Sequence, residues 1–278
     1  MDINKKQVIQ EIVDEHINNF AINFAERYRG ELNKPKGVIN YKKLNCFISE
    51  LGGEFVFYSA LVRSFDSSFG NILESMGNAI AKVSYEVKGD IDSFILPEQL
   101  QQISTIVSHY ENHEQPKVEH YSLYNPMIPK NIESFKKIHK TDNYFYSPEK
   151  HEHYLIELKA GGDLDNKKSK AEKIALLEEY YLLKNKLLSD ETTKNDKVFI
   201  YFATAYNKDG EGNFWKQERV RQFFSDDELK IGKDYWNFVC DDEMGFEVVF
   251  EQYQKSCCII REKLNYIKNL YFPGDEND

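Results

Sequence analysis

The sequence predicts an α/β protein: a mixed β-sheet core flanked by helices, with a mainly helical N-terminal region. Three observations carry that reading. Apolar residues recur at helical spacing over residues 5–28 and again over 67–83. Two aromatic-rich runs flank the polar, proline-containing segment 147–153, the pattern of a β-hairpin with a longish loop. A lysine-rich helix start then leads to the apolar run 198–205, which has the length and two-faced apolarity of a central strand. Hairpin, crossover helix and central strand together make a mixed sheet covered by helices.

In order along the chain, Val8, Ile9, Ile12, Val13, Ile17, Phe20, Phe24 and Tyr28 mark the first amphipathic helix. Residues 33–37, with Pro35, read as a loop, and 41–51 as a second helix stopped by Gly52-Gly53. Over 67–83 one face carries Phe69, Ile72, Leu73, Met76 and Ile80. A neighbouring stripe holds Gly70, Glu74, Gly77 and Ala81. A helical glycine costs about 1 kcal/mol against alanine, so two on one stripe call for another backbone close by, with Glu74 between them. A helix near 97–110, a loop rich in histidine and proline, and the basic approach Lys136, Lys137, His139 and Lys140 lead to the hairpin. Beyond it, Gly161-Gly162 permits a tight turn, and Asp163 or Asp165 caps a helix reaching about residue 188. After the central strand come a loop at 207–213, a helix at 214–224, a strand at 235–239, a closing helix at 246–271 and an acidic tail. The expected organisation is one domain over 1–278: helical 1–85, an α/β core over 86–240, and a terminal helix and tail over 241–278.

Composition bounds the function. A hydrophobic content of 41% is that of a chain with a good core rather than a disordered one. Cys46, Cys240, Cys257 and Cys258 show neither zinc-ligand nor disulfide-framework spacing. No apolar run approaches a membrane span, and the charged N-terminus lacks a signal core, so a cytoplasmic, reduced protein without a membrane partner is expected. A net charge of -10 argues against a general nucleic-acid coat. It leaves room for a local basic lining that faces phosphates.

The hairpin carries the chemistry. A turn centred between Glu149 and Lys150 pairs Tyr146 with His153, Tyr144 with Leu155 and Asp142 with Glu157. Lys159, two residues beyond Glu157, falls on the same face. Two carboxylates at one strand end suit a shared hard cation, and Mg²⁺ takes oxygen ligands of this kind beside substrate phosphate. An adjacent lysine orients a water and adds positive charge where phosphodiester hydrolysis becomes more anionic. Glu-x-Lys alone is more often a solvated ion pair; the hairpin register is what raises it above that.

At these residues the sequence resembles the PD-(D/E)XK nucleases. Asp142 followed by Glu157-Leu158-Lys159 matches their signature, and the run 156–168, with Arg63-Ser64 and 70–74 upstream, resembles a type II restriction endonuclease. The narrower resemblance is to a TdeIII-like group, over about residues 61–239. Thr141 stands where the family has proline before the first aspartate. The resemblance implies a restriction-endonuclease-like fold, Asp142 and Glu157 as metal ligands, Lys159 as the catalytic lysine, and Glu74 as an acidic helix residue next to the metal.

Lys167, Lys168, Lys170 and Lys173 crowd a helix N-terminus, where cations oppose the macrodipole unless an anion docks there. Lys216, Gln217, Arg219 and Arg221 are the candidates for base readout, since Arg pairs with guanine edges and Gln with adenine. The expected activity is Mg²⁺-dependent, sequence-specific hydrolysis of double-stranded DNA, leaving 5′-phosphate ends. A palindromic site would call for a homodimer. A structure-specific repair nuclease and a non-catalytic binding module, with Glu157–Lys159 an ordinary ion pair, remain the alternatives.

Overall fold

A computed structural model describes residues 1–124, 136–139, 141 and 143–273. The chain divides into two compact units, residues 1–76 with 247–278, and residues 77–246.

The first unit is helical. Helix α1 (Ile3–Glu31) starts at Asp2, whose carboxylate accepts from the Asn4 and Lys5 amides. Two short helices, α2 (Val38–Lys42) and α3 (Cys46–Ser49), replace the single expected helix over 41–51. The Asn45 side chain caps α3 at the Ile48 amide, so the chain restarts there instead of running through. Helix α4 (Gly53–Ala81) starts well before the expected residue 67. Its Phe65 and Phe69 stack on each other, and Phe65 meets Phe20 and Phe24 of α1 edge-on.

The second unit holds the predicted mixed sheet. Strands β1 (Glu86–Lys88) and β2 (Ile91–Phe94) precede α5 (Pro97–Glu111) and α6 (Glu119–Ser122). Strands β3 (Lys136–His139), β4 (Asn143–Ser147) and β5 (Glu152–Lys159) lead to α7 (Asn166–Leu188), and β6 (Lys197–Thr204) to α8 (Glu218–Arg221) and β7 (Leu229–Ile231). The chain closes with α9 (Lys233–Cys240) and α10 (Gly245–Tyr271). The five-stranded sheet has the order β1-β4-β5-β6-β7, while β2 and β3 pair separately. β4 runs antiparallel to its neighbours β1 and β5, and β5, β6 and β7 run parallel.

Alternation along the strands separates two packing faces. Tyr144, Leu155, Ile200 and Phe202 join a core with Ile103 and Ile106 of α5 and Leu176, Leu177 and Tyr180 of α7. On the opposite face Phe145, Tyr154 and Tyr201 meet Tyr85 and Phe238. Phe238 belongs to α9, where a strand was expected over 235–239. Tyr235, Trp236, Val239 and Cys240 are its buried residues, one side of a helix rather than every second residue of a strand.

The two glycines of the α4 stripe differ. A Cβ on Gly77 would strike the Tyr235 hydroxyl, so close approach explains that glycine. Among the described residues nothing lies within 4 Å of the corresponding Cβ position at Gly70, so no protein contact of this kind explains that glycine.

Candidate active site

The hairpin register places the site. Tyr146 pairs with His153 and Tyr144 with Leu155, as the sequence predicts, and Asn143 pairs with Ile156. Asp142 itself, and its pairing with Glu157, lie outside the described residues. Glu157 and Lys159 share the face of Leu155, which looks toward α7. There the Lys159 ammonium meets Glu157 Oε1 and lies 3.1 Å from Glu172 Oε1 of α7. Lys159 remains 32% exposed. Burial acts to lower its pKa, but the two carboxylates outweigh that and hold it above the ordinary lysine value.

Two carboxylates therefore converge on one cationic group, and their oxygens are the donor type that Mg²⁺ selects. Among the described residues, no three His, Cys, Asp or Glu side chains form a ready metal cage. Asn143 is fully buried with its Nδ2 donating to Ile156 O at 3.3 Å, while its Oδ1 has no partner among the described residues. The local donor set fits a hard divalent ion, with Glu157 and Glu172 as its acidic contribution from β5 and α7.

The register Lys159–Thr204–Ile231 aligns the C-terminal ends of β5, β6 and β7. Open α/β sheets bind ligands outside such ends. Gly162, at φ +66°, turns the chain out of β5; a Cβ there would lie 2.6 Å from Thr204 Cγ2 and 2.8 Å from Trp215. The predicted tight turn is thus also a close approach. Asp165 then caps α7 by accepting from the Lys168 amide at 2.8 Å.

The helix-start lysines divide. Lys167 and Lys168 are exposed, and Lys170 pairs with Glu111 at 2.8 Å. Lys173 is 0% exposed and joined to Glu228, itself 1% exposed, within 6 Å of the Tyr110, Tyr121 and Phe224 rings. Its expected role as a phosphate contact is corrected: it is a core cation. Burial pulls its pKa down against the opposing pull of Glu228. Glu228 also accepts from the Tyr121 hydroxyl at 2.8 Å and from the Ser225 amide.

The segment proposed as a recognition helix over 214–224 is mostly loop, with α8 only four residues long. Asp209 accepts from the Lys216 amide, and Trp215 is buried against Phe202. These fixings hold the chain off a continuous helix. Lys216, Arg219 and Arg221 line a cleft of about 720 Å³ that also takes in Asn166, at the start of α7. Lys216 and Arg219 are exposed, while Arg221 stacks on Phe214 and pairs with Asp226. Gln217 is buried, its amide donating to Asp163 Oδ1 at 3.0 Å, and this corrects its expected role in reading bases.

Glu74 is half-buried on α4, in the first unit. Glu172 is the site residue that sequence reasoning missed. It sits among the α7 lysines with no local signature, and only the facing of α7 onto β5 identifies it. At the other end of the hairpin Asp196 is buried between His151 and His153, each at 3.2 Å. The Tyr144 hydroxyl meets His153 Nδ1 at 2.8 Å. Those groups satisfy one another around the turn.

The sequence model of the family described as "Type II restriction endonuclease, HinfI" matches residues 5–257. Comparison with curated proteins and with solved structures gives no match. No described helix is long and apolar enough to cross a membrane.

Proposed function

The chain belongs to the HinfI family of type II restriction endonucleases, site-specific deoxyribonucleases, and from that premise we propose how its residues cut DNA. The observation that carries the proposal is the convergence of Glu157 and Glu172 on Lys159 at the C-terminal end of β5. Asp142, Glu157 and Glu172 would hold Mg²⁺ in the cytoplasmic enzyme. When bound, that ion lowers the pKa of a coordinated water and offsets phosphate charge.

Lys159 orients the attacking water and sets a positive charge beside the phosphate oxygens, where the transition state gains negative charge. Water adds to phosphorus and the P–O3′ bond breaks, leaving a 3′-hydroxyl and a 5′-phosphate. Glu74 is the further acidic residue that the resemblance names. Lys167 and Lys168 grip the DNA backbone, and Lys216 and Arg219 face the bases from the cleft beside α7. Such phosphate contacts position the duplex, whereas base contacts specify the site. A palindromic target is matched by two copies of the chain, each cutting one strand.

Plasmid incubated with protein and Mg²⁺ tests this on a gel, followed by sequencing of the fragment ends. Discrete fragments with 5′-phosphates at one palindrome are expected, lost with EDTA and with Asp142→Ala or Glu157→Ala. Cleavage that persists in EDTA, or undiminished cleavage by both variants, overturns the metal assignment. Full activity of Glu74→Gln removes Glu74 from it.

A further inference from the structure

We propose that the exposed apolar side chains of residues 41–62 together make one face and that this face docks a second copy of this chain across a two-fold axis. This gives a location to the dimer proposed above and rests on that reading.

Helix α4 is apolar on two sides. Val56, Phe57, Ala60 and Leu61 are buried, while Phe55, Tyr58 and Val62 are exposed at spacings of three and four residues. Over these turns apolar residues thus face solvent as well as the interior, beside the polar Glu54, Ser59 and Arg63. Phe55, Tyr58 and Val62 line an open groove with Arg63 and Asp66. Just upstream, Tyr41, Leu44, Phe47 and Leu51 are exposed as well, Phe47 at 83% and Leu44 at 72%. Single exposed hydrophobic residues are ordinary, but a concentration of large ones marks an interaction surface.

Size and charge select the occupant. A covered aromatic side chain contributes about 150–250 Å². At exposures of 42% to 83%, these seven side chains present on the order of 800 Å², one partner's share of a standard interface. The stretch balances Lys42, Lys43 and Arg63 against Glu50, Glu54 and Asp66, in a chain whose net charge is -10. Two copies would repel across most acidic surfaces but not across this neutral one. Arg63 and Asp66 share the groove, and a two-fold operator repeats every contact with the roles exchanged, so one patch supplies both signs. DNA is a poor occupant, because a neutral apolar face releases few counterions.

Sedimentation of the full chain, from nanomolar to tens of micromolar with and without DNA, tests the proposal. The wild type is expected at twice its chain mass of 32.7 kDa. Phe47→Asp with Val62→Asp should weaken self-association by at least about a hundredfold with an unchanged far-ultraviolet spectrum, since two central anchors are lost. Arg63→Glu and Asp66→Arg should each weaken it, and mixing those two chains should restore a dimer; this arm stands even if the first variant misfolds. A wild-type dimer left intact by all these variants overturns this face and leaves the dimer reading standing. A wild type that stays monomeric throughout, with DNA present, overturns both.

Discussion

Two lysines close in sequence, Lys159 and Lys173, each meet a glutamate and have opposite characters. Lys173 and Glu228 are sealed from water, ringed by aromatics, and satisfied by Tyr121 and Ser225. Lys159 is partly exposed and is shared between two carboxylates, those of Glu157 and Glu172. A closed pair balanced one to one fastens the core. An open cluster in which two carboxylates share one ammonium is where the proposed cation would sit. The difference distinguishes a buried core lysine from the one proposed for catalysis where residue type cannot.

The largest expected effect that would break this contrast belongs to the closed pair. Lys173→Ala leaves Glu228 buried and uncompensated, which should destabilise the fold by about 3–5 kcal/mol in a urea titration. Pairing Lys173→Met with Glu228→Gln removes both charges and should recover much of that loss. Next comes Lys159→Ala, expected to slow cleavage by roughly 10²–10³-fold at saturating Mg²⁺, with a nearly unchanged unfolding midpoint. If instead Lys173→Ala abolished cutting in a fully stable protein, or Lys159→Ala unfolded it, the two roles would be exchanged.

Glu172→Gln sharpens the contrast further. It should lower activity by about 10–100-fold and raise the Mg²⁺ concentration needed for half-maximal rate, as expected when a group supporting the metal is lost. Smaller again, Lys167→Ala and Lys168→Ala should each reduce the salt slope of DNA binding by about one, across all sequences. The smallest effect is a pH dependence at the hairpin turn. Burial lowers the His153 pKa, against the pull of Asp196. Its folded-state value therefore lies below the unfolded value of about 6.5. Its contribution is complete above that pH and is lost as pH falls through the folded value. Melting temperature should drop on acidification, and His153→Gln should flatten that dependence; an equally steep drop in the variant assigns the effect to other groups.

What the sequence disclosed follows from how local each signal is. The hairpin register was readable because Tyr144, Phe145 and Tyr154 belong to opposing strands of the same ribbon, joined by a turn whose centre could be guessed. The run Tyr235-Trp236-Asn237-Phe238-Val239 misled because a short apolar segment has no decisive period. The burial of Tyr235, Trp236, Val239 and Cys240 resolves it as a helix only with one more residue at its end. Lys173 was misread from its charge, yet it lies on the buried stripe with Ser169, Leu176 and Tyr180, a helical spacing visible in the sequence. Glu172 has no such mark, since its role depends on how α7 rolls against β5.

The crowded corner at Gly162 sets a limit on redesign. Any side chain there would be strained by the positive φ and would press on Thr204 and Trp215 together, shifting the end of one strand and the anchor of the loop that carries Lys216 and Arg219. Lys216 and Arg219 stand in the open beyond that anchor. If those outer positions read bases as proposed, retargeting the enzyme should randomise them and leave the corner untouched, so that new specificity is grafted onto an undisturbed cutting geometry.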